Sequence, residues 1–290
     1  MYSTLISAQD LAAHLNDPNW LSVDCRFDLA KPDAGEAAYR AAHIPGALYA
    51  HLDRDLSSAL TPTSGRHPLP SPEQFAATLS RWGVTPSTQV VAYDADTGAV
   101  AARLWWMLRW VGHSAVAVLD GGLKAWLEAG LPTTQEIRAR TPSAFTARAD
   151  RSRWVSSEEL AQKLAEGWRL LDARAPERFA GKVEPIDPIA GHVPGAVNHP
   201  LTTNLGPDGR FLPRQELRAR YERSQAGVPD EHTIAMCGSG VTACHLLLAM
   251  EAAGKSGARL YAGSWSEWIR DPSRGIAQGE SPGGTTGEGG

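Results

Sequence analysis

The sequence predicts an α/β protein with two tandem, similar domains, each a mainly parallel sheet with helices on both faces. Its 290 residues suit two domains of roughly 100–200 residues each. Short apolar, strand-like runs alternate with helix-like windows, among them 71–82, 100–111 and 242–253. This alternation is typical of a parallel sheet covered by helices. In addition, the same landmarks occur twice in the same order, which indicates a duplicated domain.

The first elements of the two halves have matching sequence patterns. Ser7 and Ser156 each precede an apolar helix-like window and are followed three residues later by an acid, which is the pattern of a capped helix start. Short buried-strand patterns follow at 23–26 and 171–174. Each half is therefore predicted to begin with the same helix and strand.

Two further pairs of landmarks set the register of the repeat. His-Ile-Pro-Gly-Ala at 43–47 returns as His-Val-Pro-Gly-Ala at 192–196, 149 positions later. The apolar strand that ends before Asp94 corresponds to the strand that ends before Cys237, 143 positions later. The smaller offset predicts an insertion of about six residues in the first half, near 56–72, where Ser, Thr and Pro cluster as in a loop.

These patterns divide the chain into four segments. We expect a first domain over 1–135 and a second over 154–278. The segment 136–153 is rich in Thr, Arg and Ala without a clear period, and we expect it to link the domains. The tail 279–290 consists mainly of Gly, Ser, Thr and Glu, a composition typical of disorder.

Composition argues against several classes of function. A net charge of -4 disfavours nucleic acid as a partner, since that would need clustered Lys and Arg. No apolar stretch approaches the ~18 residues of a membrane span, and residues 1–11 lack the features of a signal peptide, so a cytoplasmic location is expected. Cys25, Cys237 and Cys244 are too few for a disulfide framework or a zinc site. We expect no metal and no organic cofactor.

Cys237 is the candidate nucleophile because of the loop that follows it. This loop lies between a predicted strand and a predicted helix and consists of Cys237, Gly238, Ser239, Gly240, Val241 and Thr242. The glycines let the backbone curl, so that successive N–H groups can form an anion-binding nest that continues into the helix N-terminus. Such a nest stabilises a thiolate and suits a second, outer sulfur atom. The alternative, a small buried core residue, is disfavoured at Cys237 by these glycines, whereas it fits Cys25 and Cys244.

Two other chemistries are possible for a cysteine loop. Protein tyrosine phosphatases and arsenate reductases place an arginine after five intervening residues to bind a tetrahedral oxyanion, but position 243 is Ala. A redox switch between Cys237 and Cys244 requires Cα atoms within ~7 Å, whereas seven residues of helix span ~10 Å. Sulfur chemistry on Cys237 is the interpretation that these arguments favour.

With these motifs, the chain resembles the tandem-domain rhodanese superfamily over roughly 5–276. The resemblance includes the paired His-Ile/Val-Pro-Gly-Ala motifs, the Asp-Gly-Gly and Ala-Gly-Ser-Trp turns at 120–122 and 262–265, and the Cys-Gly-Ser-Gly-Val-Thr loop. It implies a catalytic second domain and a non-catalytic first domain, in which an acid commonly replaces the cysteine. Asp94 stands at that position and is implied to be structural.

The resemblance also implies roles for individual residues. Gly-Ser-Gly after the cysteine is similar to members that use 3-mercaptopyruvate, in which Ser239 would act with His67 and Asp53 as a proton relay. Arg178 matches a substrate-binding arginine that would bind the carboxylate. Asp187 stands where such members have a second arginine, which leaves thiosulfate or mixed donor specificity open.

The sequence therefore predicts a sulfurtransferase. Sulfane sulfur would move from 3-mercaptopyruvate, which leaves as pyruvate, through a Cys237 persulfide to a small thiol, a thioredoxin-like protein or cyanide. Gly238, Gly240, Val241 and Thr242 would bind the outer sulfur through their backbone N–H groups. Thiosulfate is the alternative donor. A non-enzymatic rhodanese-like binding module is the alternative of another class, and the cysteine in its glycine-rich loop disfavours it.

Overall fold

The computed structural model describes residues 1–282, which form two compact units. The first unit contains Met1–Ala59, Leu69–Arg151 and Leu205–Phe211. The second contains Leu60–Pro68, Ser152–Asn204 and the described chain from Leu212 onward. The short segment Leu60–Pro68 thus belongs to the second compact unit, although its place in the sequence is within the first predicted domain.

The first unit is built on a five-stranded parallel sheet. Its strands are β1 (Leu5–Ile6), β2 (Trp20–Asp24), β3 (Leu48–Tyr49), β4 (Gln89–Tyr93) and β5 (Val116–Leu119), in the spatial order β1-β5-β4-β2-β3. Its helices are α1 (Ala8–Ala12), α2 (Ala34–Ala41), α3 (Leu52–Asp55), α4 (Pro72–Arg81), α5 (Ala101–Trp110) and α6 (Gly122–Glu128). One buried core cluster includes Tyr93 of the central strand and Trp126 of α6.

The second unit repeats this arrangement. Its strands are β6 (Trp154–Val155), β7 (Arg169–Asp172), β8 (Ala196–Asn198), β9 (Thr233–Met236) and β10 (Arg259–Tyr261), in the order β6-β10-β9-β7-β8. Its helices are α7 (Ser157–Ala165), α8 (Pro176–Phe179), α9 (Arg214–Gln225), α10 (Ala243–Ala252) and α11 (Ser264–Trp268). The two orders correspond strand for strand, so the predicted duplicated α/β fold is confirmed.

Local sequence signals account for where several elements begin. Ser156 and Ser71 form capping boxes at the starts of α7 and α4, and the Ser7 side chain accepts a hydrogen bond from the Asp10 N–H at the start of α1. The helix-like windows 71–82, 100–111 and 242–253 correspond to α4, α5 and α10. All residues of β4 and β9 are buried, which explains their continuous apolar patterns.

The topology places two loops at equivalent sites. In each sheet, the strand order reverses beside the central strand, at β4 in one unit and at β9 in the other. Ligands of open α/β sheets bind beyond the carboxyl ends of strands at such a reversal. Asp94 directly follows β4 and Cys237 directly follows β9, so both residues lie at this position.

The predicted tail is partly outside the described residues. At its start, the Gly279 N–H donates to the Ala180 carbonyl, and the Pro282 carbonyl accepts from the Gly195 N–H. Gly279 and Pro282 are therefore hydrogen-bonded to the second unit. The remainder, 283–290, lies outside the described residues. Within residues 1–282, each helix is too short or too polar to cross a lipid bilayer.

Candidate active site

The backbone at 237–242 curls around the Cys237 sulfur. The Gly240 N–H donates to Cys237 Sγ with an N···S distance of 3.1 Å. Val241 and Thr242 then lead into α10 by accepting hydrogen bonds from Cys244 and His245 through their backbone carbonyls. The sulfur therefore lies at the N-terminal end of a ten-residue helix, where backbone N–H groups and the helix dipole favour negative charge.

The two glycines of this loop meet different neighbours. Gly240 has a φ of +78°, and a Cβ there would lie 2.2 Å from the Ala262 carbonyl oxygen. A Cβ on Gly238 would lie 2.9 Å from Nη2 of Arg66. Gly240 thus lets the backbone turn, and Gly238 leaves room for a guanidinium beside the cysteine.

The turn between β10 and α11 holds the cysteine peptide in place. Ser264 Oγ accepts from the Cys237 N–H at 3.1 Å and donates to the Tyr261 carbonyl at 2.9 Å. The Trp265 N–H donates to the Cys237 carbonyl at 3.0 Å. Ser264 has a φ of +53°, which costs an L-residue roughly 1–2 kcal/mol. The two hydrogen bonds of Ser264 Oγ offset that strain and hold the Cys237 peptide at the start of the loop.

Ser239 and His67 are in contact. Their Oγ and Nδ1 atoms are 2.8 Å apart, and both side chains are buried. His67 lies in the segment Leu60–Pro68, which belongs to the same compact unit as Ser239. Asp53 lies in the first unit, in the first turn of α3, where its backbone N–H donates to His51 Nδ1 at 3.1 Å. Cys237, Ser239 and His67 are therefore all in the second unit, and Asp53 is in the first.

Arg178 lies beside the cysteine loop in a network of charges. Its Nε and Nη2 groups donate to the Glu184 carboxylate, the shortest distance being 2.7 Å from Nη2 to Oε1. Nη2 also lies 3.3 Å from Asp187 Oδ2. Burial raises the pKa of Glu184, but hydrogen bonds from Arg178 and from the backbone N–H groups of Asp187 and Ile186 outweigh it and lower the pKa overall. Glu184 is thus a stable anionic partner that orients the Arg178 fork.

Asp187 lies between two guanidinium groups. Its Oδ1 is paired with Nη1 of Arg66, and its Oδ2 faces Nη2 of Arg178. Burial raises the pKa of Asp187 more than the neighbouring charges of Arg66 and Arg178 lower it. The acid at position 187 therefore holds two arginines together beside the cysteine loop.

The position equivalent to the cysteine in the first unit has a different arrangement. The Asp94 carboxylate accepts four backbone hydrogen bonds within its own loop, at 2.9–3.3 Å, from Asp96, Gly98, Val100 and Ala101. Burial raises the pKa of Asp94 more than the N–H donors lower it. In this loop, the Asp94 carboxylate is itself the acceptor for these four backbone N–H groups.

Sequence reasoning did not identify three of these residues. Ser264 was visible only as part of a repeated turn, although its partner in the first half is Gly122. Arg66 directly precedes His67 and could have been noticed for that reason. Glu184 follows Arg178 by six positions in an irregular segment, and no local pattern marks it.

The chain matches known proteins along most of its length. A family model described as "Rhodanese-like domain" matches residues 7–129 and 156–271. A Pseudomonas aeruginosa protein named "Probable 3-mercaptopyruvate sulfurtransferase" is 50% identical over 95% of this chain and 98% of its own length. The thiosulfate sulfurtransferase of Rattus norvegicus is 33% identical over 97% of each chain. The crystal structure of Escherichia coli SseA, described as a 3-mercaptopyruvate sulfotransferase, is 32% identical, with a TM-score of 0.79 over 92% of this chain and all of that one.

Proposed function

The chain belongs to the rhodanese family, and from this membership we propose that it is a sulfurtransferase that carries sulfane sulfur as a persulfide on Cys237. The observation that carries the proposal is the curled loop with the Gly240 N–H on the cysteine sulfur, at 3.1 Å, at the start of α10. Cys237 is buried, and a loop of this kind surrounds its sulfur with backbone N–H donors that suit an anionic sulfur.

In the proposed first step, the Cys237 thiolate attacks the thiol sulfur of 3-mercaptopyruvate. An S–S bond forms, the C–S bond of the donor breaks, and the electron pair of that bond goes to the donor carbon. The product is a Cys237 persulfide and the enolate of pyruvate, which must take up one proton to become pyruvate. The sulfur is oxidised from thiol to sulfane level while the carbon is reduced by the same two electrons.

Ser239 and His67 are proposed to move the proton that this step releases. Ser239 Oγ and His67 Nδ1 are 2.8 Å apart. The Ser239 hydroxyl would pass the proton of the donor thiol to the enolate carbon, and the His67 imidazole would accept and return a proton during this transfer. Asp53 is proposed as the carboxylate of this relay, the role that the resemblance to 3-mercaptopyruvate-using members implies.

In the second step, an acceptor attacks the outer sulfur of the persulfide and restores the Cys237 thiolate. A small thiol, a thioredoxin-like protein or cyanide can each serve, because each is a soft nucleophile. Backbone N–H groups of Gly238, Gly240, Val241 and Thr242 are proposed to hold the outer sulfur until then. The chemistry needs no electrons from another source.

The donor is proposed to be 3-mercaptopyruvate, with thiosulfate as the second candidate. The Pseudomonas aeruginosa relative at 50% identity carries the first name, and the Gly-Ser-Gly sequence after Cys237 supplies a hydroxyl for proton transfer. Thiosulfate is favoured by a separate observation, since the two guanidinium groups beside Gly238 suit a small dianion as well as a carboxylate. Values of kcat/KM for both donors, measured side by side, decide between them.

A substitution tests whether Cys237 is the nucleophile. Cys237→Ser is expected to stop both pyruvate release from 3-mercaptopyruvate and thiocyanate formation with cyanide. Cys244→Ser is the matched control, because Cys244 is also buried and its thiol donates to the Gly240 carbonyl at 3.3 Å. A serine hydroxyl can make the same hydrogen bond, so this variant should retain most of the activity. Full turnover in Cys237→Ser would overturn the assignment of Cys237 as the nucleophile, whereas no turnover in the unaltered protein would favour a non-enzymatic binding module.

We also propose a reducing compartment, the cytoplasm, as the location. No disulfide bond joins Cys25, Cys237 and Cys244, which all lie within the described residues, and a persulfide carrier with reduced, buried thiols suits a compartment in which thiols stay reduced. Fractionation of the source cells tests this, and recovery of the protein outside the cytoplasm would contradict it.

A further inference from the structure

Arg66 was not among the residues that the sequence identified, yet it faces the loop that carries Cys237. Its Nη1 group is paired with Asp187, whose other oxygen faces Nη2 of Arg178. A guanidinium has five N–H donors in a planar fork, so these pairings use only part of each group. The donors that remain decide what else the two arginines can bind.

The remaining donors of both arginines lie at the same place. The site of a Cβ on Gly238 is 2.9 Å from Arg66 Nη2, 3.6 Å from Arg178 Nη2 and 3.7 Å from Arg178 Nη1. Within residues 1–282, Nη2 of Arg66 and Nη1 of Arg178 have no hydrogen-bonded protein partner, and Nε of Arg66 is buried without one. Two cationic forks therefore present unused donors next to the residue that follows the nucleophile.

The segment that carries Arg66 is held at several points, so its guanidinium is already in place. A Cβ on Gly65 would lie 2.6 Å from the Gly263 carbonyl oxygen, which shows how closely the backbone approaches that turn. The Arg66 N–H donates to Ser266 Oγ at 3.1 Å, and the side chain is paired with Asp187. Pre-organisation of this kind lowers the entropy cost of ordering a long side chain when a ligand binds.

Asp187 explains why two cations can lie so close together. Its carboxylate, only 4% exposed, neutralises part of their mutual repulsion and sets their spacing. Because the carboxylate contacts Nη1 of Arg66 and Nη2 of Arg178, it leaves Nη2 of Arg66 and Nη1 of Arg178 available beside Gly238. A small anion can therefore bind without displacing Asp187.

We propose that Arg66 and Arg178, bridged by Asp187, form a two-arginine subsite for the carboxylate of the sulfur donor, with Arg66 as the specificity-determining residue. This inference deepens the proposed function and rests on it. The unused donors of the pair would bind one carboxylate oxygen each, which places the donor's sulfur over Cys237. The subsite takes a small monocarboxylate or a comparably small oxyanion.

The first test measures donor affinity in the Arg66→Ala variant. KM for 3-mercaptopyruvate is expected to rise by roughly 10- to 100-fold, the loss expected for one charge-assisted hydrogen bond, while kcat changes much less. Arg218→Ala is the matched control, since Arg218 is an exposed arginine paired with Glu222 on α9 of the same unit, and its KM should be that of the unaltered protein. An unchanged KM in Arg66→Ala overturns the inference.

A second measurement does not depend on sulfur transfer. Pyruvate should protect Cys237 from alkylation by iodoacetamide, and the concentration for half protection should rise at least tenfold in Arg66→Ala. This protection keeps the inference separate from the proposed function, because a protein that forms no persulfide would still show it if the subsite exists. Protection that is independent of Arg66, in a protein that does form the persulfide, overturns the inference and leaves the function intact.

Asp187→Asn separates anion binding from a purely structural role for Arg66. Removal of the competing negative charge should lower the pyruvate concentration for half protection several-fold. If Arg66 only holds its own segment in place through the ion pair with Asp187, Asp187→Asn should instead weaken protection as much as Arg66→Ala does. That result would contradict the inference. Should Arg66→Ala fail to fold, Arg66→Lys must raise the half-protection concentration by itself, because it keeps the charge but lacks the second Nη group.

Discussion

The loops after β4 and β9 are built on the same backbone plan but use their N–H groups differently. In both, the turn after the next strand holds the first peptide of the loop: the Leu123 N–H donates to the Asp94 carbonyl at 2.9 Å, and the Trp265 N–H donates to the Cys237 carbonyl at 3.0 Å. In the first unit, four N–H groups then bind the Asp94 carboxylate. In the second, the Gly240 N–H binds the cysteine sulfur. The first loop therefore binds its own carboxylate, whereas we propose that the second loop receives a second sulfur atom.

The turns that contain Gly122 and Ser264, which hold the two loops, also differ. Gly122 and Ser264 occupy equivalent positions with φ values of +57° and +53°. Glycine adopts this conformation without strain, but serine does not, and the hydroxyl of Ser264 is used to bind the Cys237 N–H. In the second unit, the backbone strain at Ser264 therefore accompanies a hydrogen bond that positions the Cys237 peptide. Such strain is common beside functional residues.

The largest effect is expected when the second loop is given the residue of the first. Cys237→Asp should lower the rate of sulfur transfer by roughly 10⁴-fold or more, because the nucleophile is lost and the new carboxylate can take the N–H groups of its own loop. The protein should remain folded, as judged by circular dichroism. Measurable persulfide on this variant would break the comparison.

Removal of the anion from the first loop should destabilise the protein. Asp94→Ala leaves four backbone donors without their partner, and we expect a loss of about 2–4 kcal/mol in the free energy of unfolding, measured by chemical denaturation. Asp96→Ala is the control in the same loop, because Asp96 is exposed and loses one hydrogen bond, from the Thr97 N–H, so stability should change by less than about 1 kcal/mol. Equal effects of the two variants would contradict the account of Asp94.

The same comparison has a pH dependence. Burial raises the pKa of Asp94 in the folded protein above the value of about 3.9 for an unfolded aspartate. The contribution of this pKa difference to the free energy of unfolding is therefore fully present below pH ~4. It is lost as the pH rises through the folded pKa. The destabilisation by Asp94→Ala should therefore be larger near pH 4 than near pH 7, and the opposite trend in denaturation midpoints would contradict the direction of the shift.

Substitutions at the Ser239 and His67 pair should have intermediate effects. Ser239→Ala or His67→Ala is expected to lower kcat with 3-mercaptopyruvate by roughly 100-fold, and kcat with thiosulfate much less, because thiosulfate releases sulfite without an enolate to protonate. The double variant should be little worse than either single one, since the two residues act as a unit. Equal losses with both donors would remove the proton relay.

The smallest effect is expected at the supporting turn. Ser264→Gly loses the hydrogen bond to the Cys237 N–H but relieves the left-handed strain, so its free energy of unfolding should change by no more than about 1 kcal/mol. Ser264→Ala loses the hydrogen bond and keeps the strain, so it should be less stable than Ser264→Gly by about 1–2 kcal/mol. The reverse order of stability would show that the hydroxyl does not compensate for strain.

The fold was predictable because its signals are local or repeated. Strand and helix periodicity, the caps at Ser7 and Ser156, and the duplicated motifs all lie within short windows of sequence. The cysteine loop was predictable for the same reason, because Cys237, Gly238 and Gly240 are consecutive or nearly so. These features depend on backbone rules that need no tertiary contact.

The rest of the site depends on contacts between distant residues. Arg66 meets Asp187 across 121 positions, and its N–H meets Ser266 across 200. Charge alone did not identify Arg66, since most arginines in a chain of this composition are on the surface. The packing of Leu60–Pro68 with the second unit is likewise a tertiary preference that its position in the sequence does not reveal.

The most direct test is the mass of the Cys237 peptide after incubation with 3-mercaptopyruvate in the absence of an acceptor. The account predicts one additional sulfur atom on that peptide, with none on those of Cys25 or Cys244, and its release by cyanide as one thiocyanate per chain. An unmodified Cys237 in a protein that still releases pyruvate would contradict the claim that this curled loop carries the sulfur.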